Sequence, residues 1–403
     1  MEEFRFEYRP GTIRYGPGSV VDLSAELDRI GAGSALVVSG RTVGETPAVV
    51  DPVREGLGDR LADVFAETTP DKRVATAAAA ADRMAETDAD AIVGLGGGSS
   101  IDVAKVAAVL AATEDRERAV AEFVRSGSLP VPDGSLPAVV AVPTTLAGAD
   151  LSQAAGISAG PETAREAGDG DGEVHGGVSD PAVMPRLLCY DPDLVRTTPE
   201  GVLLASAMNG FDKAVEAPYA RTRTPVTDAT AARALGMLSE GLPSLGAGDR
   251  DDATMRRVVA GTVLAQYGAS RPDGGTLSLI HAFGHALSRP YDVQQGAAHG
   301  IAAPHALRYL FDRVDGRRRL LAEGLGVDAP GDDEAVAEAV VAEVERIRDA
   351  LGLPARLRAV PGLDRAELPA VARAVVDDPL IPNVPPGLEV TVEGIEATLA
   401  EAW

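Results

Sequence analysis

In the first half of the chain, short apolar runs alternate with alanine-rich stretches whose polar residues recur at helical spacing. Residues 35–39 (ALVVS), 91–95 (AIVGL) and 138–142 (AVVAV) read as strands buried on both faces. Residues 73–86 and 100–112 read as helices. Strand–helix–strand alternation implies parallel pairing with helical crossovers, so residues 1–195 are expected to form an α/β domain with a doubly wound parallel sheet. A further short strand is expected at 187–190. The Gly-, Asp- and Glu-rich stretch 161–179 reads as a long acidic surface loop. After Pro199 the pattern is helical almost to the end. Helices are expected over about 201–220, 226–243, 252–268, 275–288, 299–313, 331–351 and 364–377. A proline-rich connector at 378–387 precedes the last helix. Residues 196–403 are therefore expected to form an all-α domain.

Composition changes the picture in three ways. The 403 residues hold 61 Asp plus Glu against 37 Lys plus Arg, a net charge of −24. Such a chain repels phosphate backbones and anionic lipid, which argues against nucleic-acid and membrane-surface partners. Only Lys72, Lys105 and Lys213 are lysines. An acidic, lysine-poor surface suits a salt-rich cytoplasm, where screening shortens the reach of like-charge repulsion. The single Cys189 excludes an internal disulfide and a Cys-based zinc site. The charged start, MEEFRFEYRP, is not that of a signal peptide, and no apolar run approaches the ~20 residues of a membrane span. A soluble, cytoplasmic protein is expected.

Two constellations carry chemistry. The segment 94–105 (GLGGGSSIDVAK) follows a buried strand and opens a helix. Successive glycines let backbone approach a bulky ligand, and Ser99 or Ser100 can cap the helix, whose free N–H groups favour an anion such as a pyrophosphate. A tight turn needing glycine for geometry alone is the plainer alternative. The second constellation is a histidine cluster. Of five histidines, His281, His285, His299 and His305 fall close together, and His175 lies in the acidic stretch. His281 and His285, spaced i, i+4, share a helix face. Such a set could hold a divalent metal, and single members could equally be core or capping histidines.

The motif G-G-G-S-S-I-D-x-A-K, the run Pro143-Thr144-Thr145-Leu146-Ala147-Gly148 and the His281/His285/His299 series resemble those of the iron-containing (group III) alcohol dehydrogenase superfamily. The resemblance covers nearly the whole chain in the same order. It implies a dehydroquinate synthase-like fold and an enzyme that uses NAD or NADP to interconvert alcohols and carbonyl compounds. It places Gly96, Gly97, Gly98 and Ser99 on the pyrophosphate, Asp102 toward the nicotinamide, and Thr144 and Thr145 at the adenine or ribose. NAD-using relatives carry an Asp after the first strand; here Gly40 takes that position and Arg41 follows, which favours a 2′-phosphate and hence NADP over NAD. The resemblance also implies a dimer or larger assembly and a catalytic cleft between the two halves.

In that family a metal is held by an Asp and a His at i, i+4 on one helix and by two later histidines, to which His281 and His299 correspond. His285 corresponds to a histidine on the substrate or proton path. The first helix departs from the pattern. In 207–217 (AMNGFDKAVEA), Asn209 stands where the metal Asp is expected and Lys213 where the metal His is expected. Asp212 is one helical step away and is expected to point elsewhere, and Glu216 is expected to be structural. An amide is a poor ligand and an ammonium repels a cation, so tightly bound Fe or Zn is disfavoured. Lys213 is expected to put its own charge where the metal would stand, with Asn209, His281, His285 and His299 completing the catalytic set. SAMNGFDKAVEAPYA, PTTLAGADLS and DPAVMPRLLCYDPDL also resemble the maleylacetate reductase branch, which carries Asn at the metal Asp position. That branch has a cofactor- or substrate-binding Lys ahead of its D-P-x-V-x-P run; His175 is the nearest equivalent here. The competing classes are a metal-dependent dehydrogenase, a dehydroquinate synthase-like lyase and a non-catalytic cofactor-binding protein. Arg317, Arg318 and Arg319 read as a solvated helix face, and Asn383 as a structural turn residue.

Overall fold

The structure is a computed structural model that describes residues 3–168, 172–328 and 330–403. The chain divides into two compact units. One comprises Tyr8–Thr145 and Ala149–Thr198; the other comprises Pro199–Trp403, Leu146–Gly148 and the start of the chain up to Glu7.

Among the described residues the first unit is built on eight strands: β1 (Thr12–Tyr15), β2 (Ala35–Gly40), β3 (Leu61–Thr68), β4 (Ala91–Gly96), β5 (Ala138–Pro143), β6 (Ala154–Ala159), β7 (Val174–Ser179) and β8 (Leu187–Tyr190). Six form a sheet in the order β1-β8-β5-β4-β2-β3, every pair parallel. The central strands are apolar at consecutive positions because both faces are covered by helices. Leu36, Val38, Ile92 and Val139 enter one core, while Val37, Val93, Leu95 and Val140 enter the other, the two-residue alternation of a pleated strand. From β2 the chain steps outward to β3, and from β4 it steps the opposite way to β5 and β8. The topological switch point therefore lies at the carboxyl ends of β2 and β4, where open α/β sheets bind ligands.

The sheet confirms the parallel α/β reading and adds strands at β1 and β3. Both lie at sheet edges and keep polar residues, so neither shows a continuous apolar run. The acidic stretch is a correction. Instead of one long loop it holds the helix Pro161–Glu166 and β7, which pairs antiparallel with β6; residues 169–171 lie outside the described residues. β6 and β7 read AAGISA and VHGGVS, with small residues that hide a strand signal but let two backbones approach.

The second unit contains helices and no strands among the described residues. Boundaries differ where side chains from elsewhere set them. The expected helix 275–288 begins only at Leu279, and His299 sits one turn inside the helix Gln295–Phe311 rather than at its start. Arg318 is also a correction: its guanidinium is buried and donates to the carbonyls of Phe311, Val314, Asp315 and Asp333, whereas Arg317 and Arg319 pair with Asp228 and Asp333. Asn383 does act as a tether, donating from Nδ2 to the Leu277 carbonyl at 2.8 Å.

His305, on Gln295–Phe311, has a buried Nδ1 with no hydrogen-bond partner. Burial, then Arg308, Arg356 and Arg348, push its pKa down to about 4, against a smaller opposing effect of Glu345. A depressed histidine holds fewer protons folded than unfolded, so its contribution to stability is present above about pH 6.5 and is lost as pH falls. Between pH 7 and pH 5, His305 should cost about 1 kcal/mol, after discounting for its partial exposure. Urea unfolding of the parent and His305→Gln at both pH values checks this. Equal pH sensitivity of the two proteins would refute it.

Candidate active site

The helix Glu200–Glu216 carries Asn209, Asp212, Lys213 and Glu216 at i, i+3, i+4 and i+7, all on one face. All four are buried. The helix Leu279–Ser288 brings His281 and His285, and Gln295–Phe311 brings His299. The rings of His281 and His299 meet edge to face with centroids 4.4 Å apart.

Glu216 anchors this arrangement. Its carboxylate accepts the backbone N–H groups of Ser278, Ile280 and His281 at 3.0, 2.6 and 3.3 Å. It therefore caps the N-terminus of Leu279–Ser288, whose own N-cap Ser278 makes no side-chain cap bond. Its Oε2 also lies 2.6 Å from His281 Nδ1, which directs His281 Nε2 into the cluster. Burial pushes the Glu216 carboxyl up to about 8, against the pull of its backbone donors. Reading Glu216 as structural missed this orienting contact.

Asp212 is a correction. It does not point away: Oδ2 lies 3.1 Å from His299 Nδ1, although out of line for a hydrogen bond, and both oxygens are buried without one. A step of three residues stays on the face that a step of four defines, so Asp212 and Lys213 serve the same cluster. Burial holds the Asp212 carboxyl well above the ordinary range, with Lys213 opposing. Gly284 makes room for His299, since a Cβ there would stand 2.1 Å from Nε2.

Lys213 is 8% exposed. Burial, with the Lys213 ammonium adding to it, depresses His299 to about 3; burial, then His299, then Lys213 depress His281 well below the usual value. Both rings are therefore neutral at neutral pH. His281 Nε2 and His299 Nε2 have no hydrogen-bond partner, and neither does Asn209 Oδ1. Gly148, from the Pro143–Gly148 motif, lies directly on Lys213, where a Cβ would meet Cε at 2.9 Å. His285 is more open; its Nδ1 lies 2.9 Å from Asp378 Oδ2, and burial lowers its pKa.

This donor set does not fit a four-ligand divalent metal. Two imidazole nitrogens are available, but the other two family positions hold an amide and an ammonium. Among the described residues, no three His, Cys, Asp or Glu side chains converge on one point.

The first unit holds the second constellation. β4 ends at Gly96, where φ is +135°, a conformation glycine adopts without penalty. The helix Gly98–Ala112 follows at once. Gly97, Gly98 and Ser99 are partly exposed at the switch point, whereas Ser100 is buried and shares a 2.8 Å hydrogen bond with Thr68. A Cβ on Gly97 would stand 3.3 Å from Thr145, and one on Gly98 would stand 3.2 Å from Ala149. Thr144 is buried and donates its N–H to the Gly96 carbonyl at 2.9 Å. Gly40 caps the short helix Arg41–Glu45, and Arg41 is exposed. This glycine-lined turn fits a dinucleotide. His175 lies elsewhere, exposed on β7 with Glu173 at 3.9 Å. Lys72, which carries no sequence motif, reaches the helix after the turn: its Nζ lies 2.7 Å from Asp102 Oδ2. Lys105, in the motif itself, is fully buried and donates to the carbonyls of Ala149, Ser152 and Ala154.

A parallel switch-point sheet with a glycine-rich turn in one unit, and clustered histidines in the helical unit, are the features of the dehydroquinate synthase-like architecture. Residues 10–192 match the family described as iron-containing alcohol dehydrogenase, and residues 203–403 match the C-terminal part of the Fe-containing alcohol dehydrogenase family. The chain belongs to the iron-containing alcohol dehydrogenase family and is an oxidoreductase of it. It is 29% identical to the NAD-dependent methanol dehydrogenase of Bacillus methanolicus over 90% of this chain and 91% of that protein. It is 27% identical to maleylacetate reductase 1 of Cupriavidus pinatubonensis over 81% and 80%. Its fold matches the crystal structure of a 1,3-propanediol oxidoreductase with a TM-score of 0.87, at 22% identity and over 99% and 100% of the two chains. No helix among the described residues is long and apolar enough to cross a membrane.

Proposed function

We propose that the protein is a nicotinamide-dependent carbonyl reductase in which Lys213 takes the electrostatic role of a catalytic metal. A bound nicotinamide supplies the hydride when present. The chain's own residues must then meet the negative charge that builds on the carbonyl oxygen and deliver one proton to it. The Lys213 ammonium, held in a water-poor cluster beside two neutral imidazoles, provides a fixed positive charge of the kind that stabilises an oxyanion. Asn209 adds an amide donor. His285, the member of the cluster most open to solvent and held by Asp378, is the group through which the proton is resupplied.

The observation that carries this reading is geometric: Lys213 is buried on the same helix face as Asn209, Asp212 and Glu216, Asp212 lies against His299, and the His281 and His299 rings meet with centroids 4.4 Å apart and their Nε2 atoms without hydrogen-bond partners. Gly40 and Arg41 support NADPH as the preferred donor, because no carboxylate stands at the end of β2 and Arg41 has no ion-pair partner among the described residues. The names of two relatives, a methanol dehydrogenase and a lactaldehyde reductase, point to short alcohols and aldehydes as the substrate class.

The test is reduction of an aldehyde and ketone panel with NADPH and NADH, at molar salt to suit the net charge of −24, with and without EDTA. Turnover with NADPH that survives chelation is expected. Activity abolished by EDTA and restored by Fe²⁺ or Zn²⁺ would favour the metal-dependent reading. Tight NADPH binding with no turnover on any carbonyl would overturn the enzymatic one.

A further inference from the structure

We propose that Lys72 is the cation that makes the glycine-rich turn receptive to the pyrophosphate of a dinucleotide, by neutralising Asp102 and presenting its remaining N–H donors to the phosphates. This rests on the reading of that turn as a dinucleotide site.

The turn contains an electrostatic conflict. The start of Gly98–Ala112 offers free N–H groups and the positive end of the helix dipole, which favour an anion. Asp102 lies one turn further in, and helical side chains lean back toward the N-terminus. A bare carboxylate there would oppose a doubly charged pyrophosphate. Two groups answer it. The Gly156 N–H donates to Asp102 Oδ2 at 3.2 Å, and Lys72 Nζ donates to the same oxygen at 2.7 Å.

Lys72 is built for this position. Its backbone has φ +53°, a left-handed conformation that is strained for a lysine and calls for a reason. The conformation is locked from both sides: the Lys72 N–H donates to the Thr69 carbonyl at 3.1 Å, and the Lys72 carbonyl accepts the Ser158 N–H of β6 at 3.0 Å. The side chain thereby crosses from the end of β3 to the first turn of the helix after β4. Asp102 is almost wholly buried, whereas the Lys72 side chain is 32% exposed, so the open side of the pair is the cationic one. A group serving only to satisfy Asp102 would have no need of that exposure. In a chain with three lysines, one at a strained position beside the phosphate turn is not surface filler.

Direct binding tests this. NADPH and NADH are titrated by their fluorescence into the full-length protein and into Lys72→Met, Lys72→Arg, Asp102→Asn and the Lys72→Met/Asp102→Asn double variant, with thermal melting of each. Lys72→Met should weaken both cofactors alike, by tenfold or more, because both carry the pyrophosphate. Lys72→Arg should stay within about threefold of the parent. Adding Asp102→Asn to Lys72→Met should recover most of the loss, a rescue that a merely structural lysine would not show. Parent-like affinity in a folded Lys72→Met protein would overturn the proposal, as would a loss confined to NADPH, which would place Lys72 on the 2′-phosphate. Failure of the parent to bind either cofactor would instead sink the dinucleotide reading itself, and this proposal with it.

Discussion

Lys213→Met should lower kcat/KM for carbonyl reduction roughly 100- to 1000-fold, the range seen when one preorganised oxyanion donor is removed, while NADPH affinity stays within threefold. Methionine keeps the length of the side chain and removes the charge. Removing the ammonium alone leaves the buried Asp212 carboxyl without the charge that opposes its shift, so some loss of stability is expected, and thermal melting establishes that the variant is folded. The electrostatics should change in a second, independent way. Part of the depression of His299 and His281 comes from Lys213, so both should become easier to protonate in the variant, an effect readable by NMR titration of the imidazoles. Full turnover in Lys213→Met would defeat the assignment. A metal-site control accompanies it: Asn209→Asp combined with Lys213→His restores two ligating side chains at positions where the family places them. That variant should retain about one divalent ion per chain by elemental analysis, and the parent should not.

The parallel sheet and the helical second half were legible because both are written in short-range periodicity. Continuous apolar runs marked β2, β4, β5 and β8, and 3.6-residue patterns marked the long helices. What escaped lay where tertiary contacts replace local signals. β6 and β7 are made of small residues and are held by each other rather than by an apolar face. The helix at Leu279 starts late because Glu216, more than sixty residues upstream, captures the N–H groups of its first turn. The histidines could be gathered from sequence because they cluster in it. Asp212 was set aside by counting steps of four along a helix whose face also includes steps of three. Lys72 carried no motif; only its positive φ and its reach to Asp102 distinguish it.

Glu216 is the position where a single change should damage fold and site together. Glu216→Ala removes the acceptor of three backbone N–H groups and of His281 Nδ1, in a place water cannot reach. Each orphaned buried group costs about 1–3 kcal/mol, so a loss of about 4 kcal/mol or more is expected from the set of four. That is a large share of the total stability of a typical domain. Glu216→Gln separates the two roles. Its carbonyl can still accept from the backbone, so roughly half the stability should return. Its NH₂ group, however, can only donate toward His281 Nδ1, which favours the tautomer with the proton on Nε2. In the tautomer that donates Nδ1–H to Glu216 the Nε2 lone pair faces the cluster; the glutamine would remove it, and turnover should fall tenfold or more in a protein that still folds. Urea unfolding with steady-state kinetics on both variants tests this ordering. If Glu216→Gln matched the parent in turnover, the carboxylate would be a helix cap and nothing more. If Glu216→Ala matched it in stability, the N-terminus of Leu279–Ser288 would have to find its acceptors elsewhere.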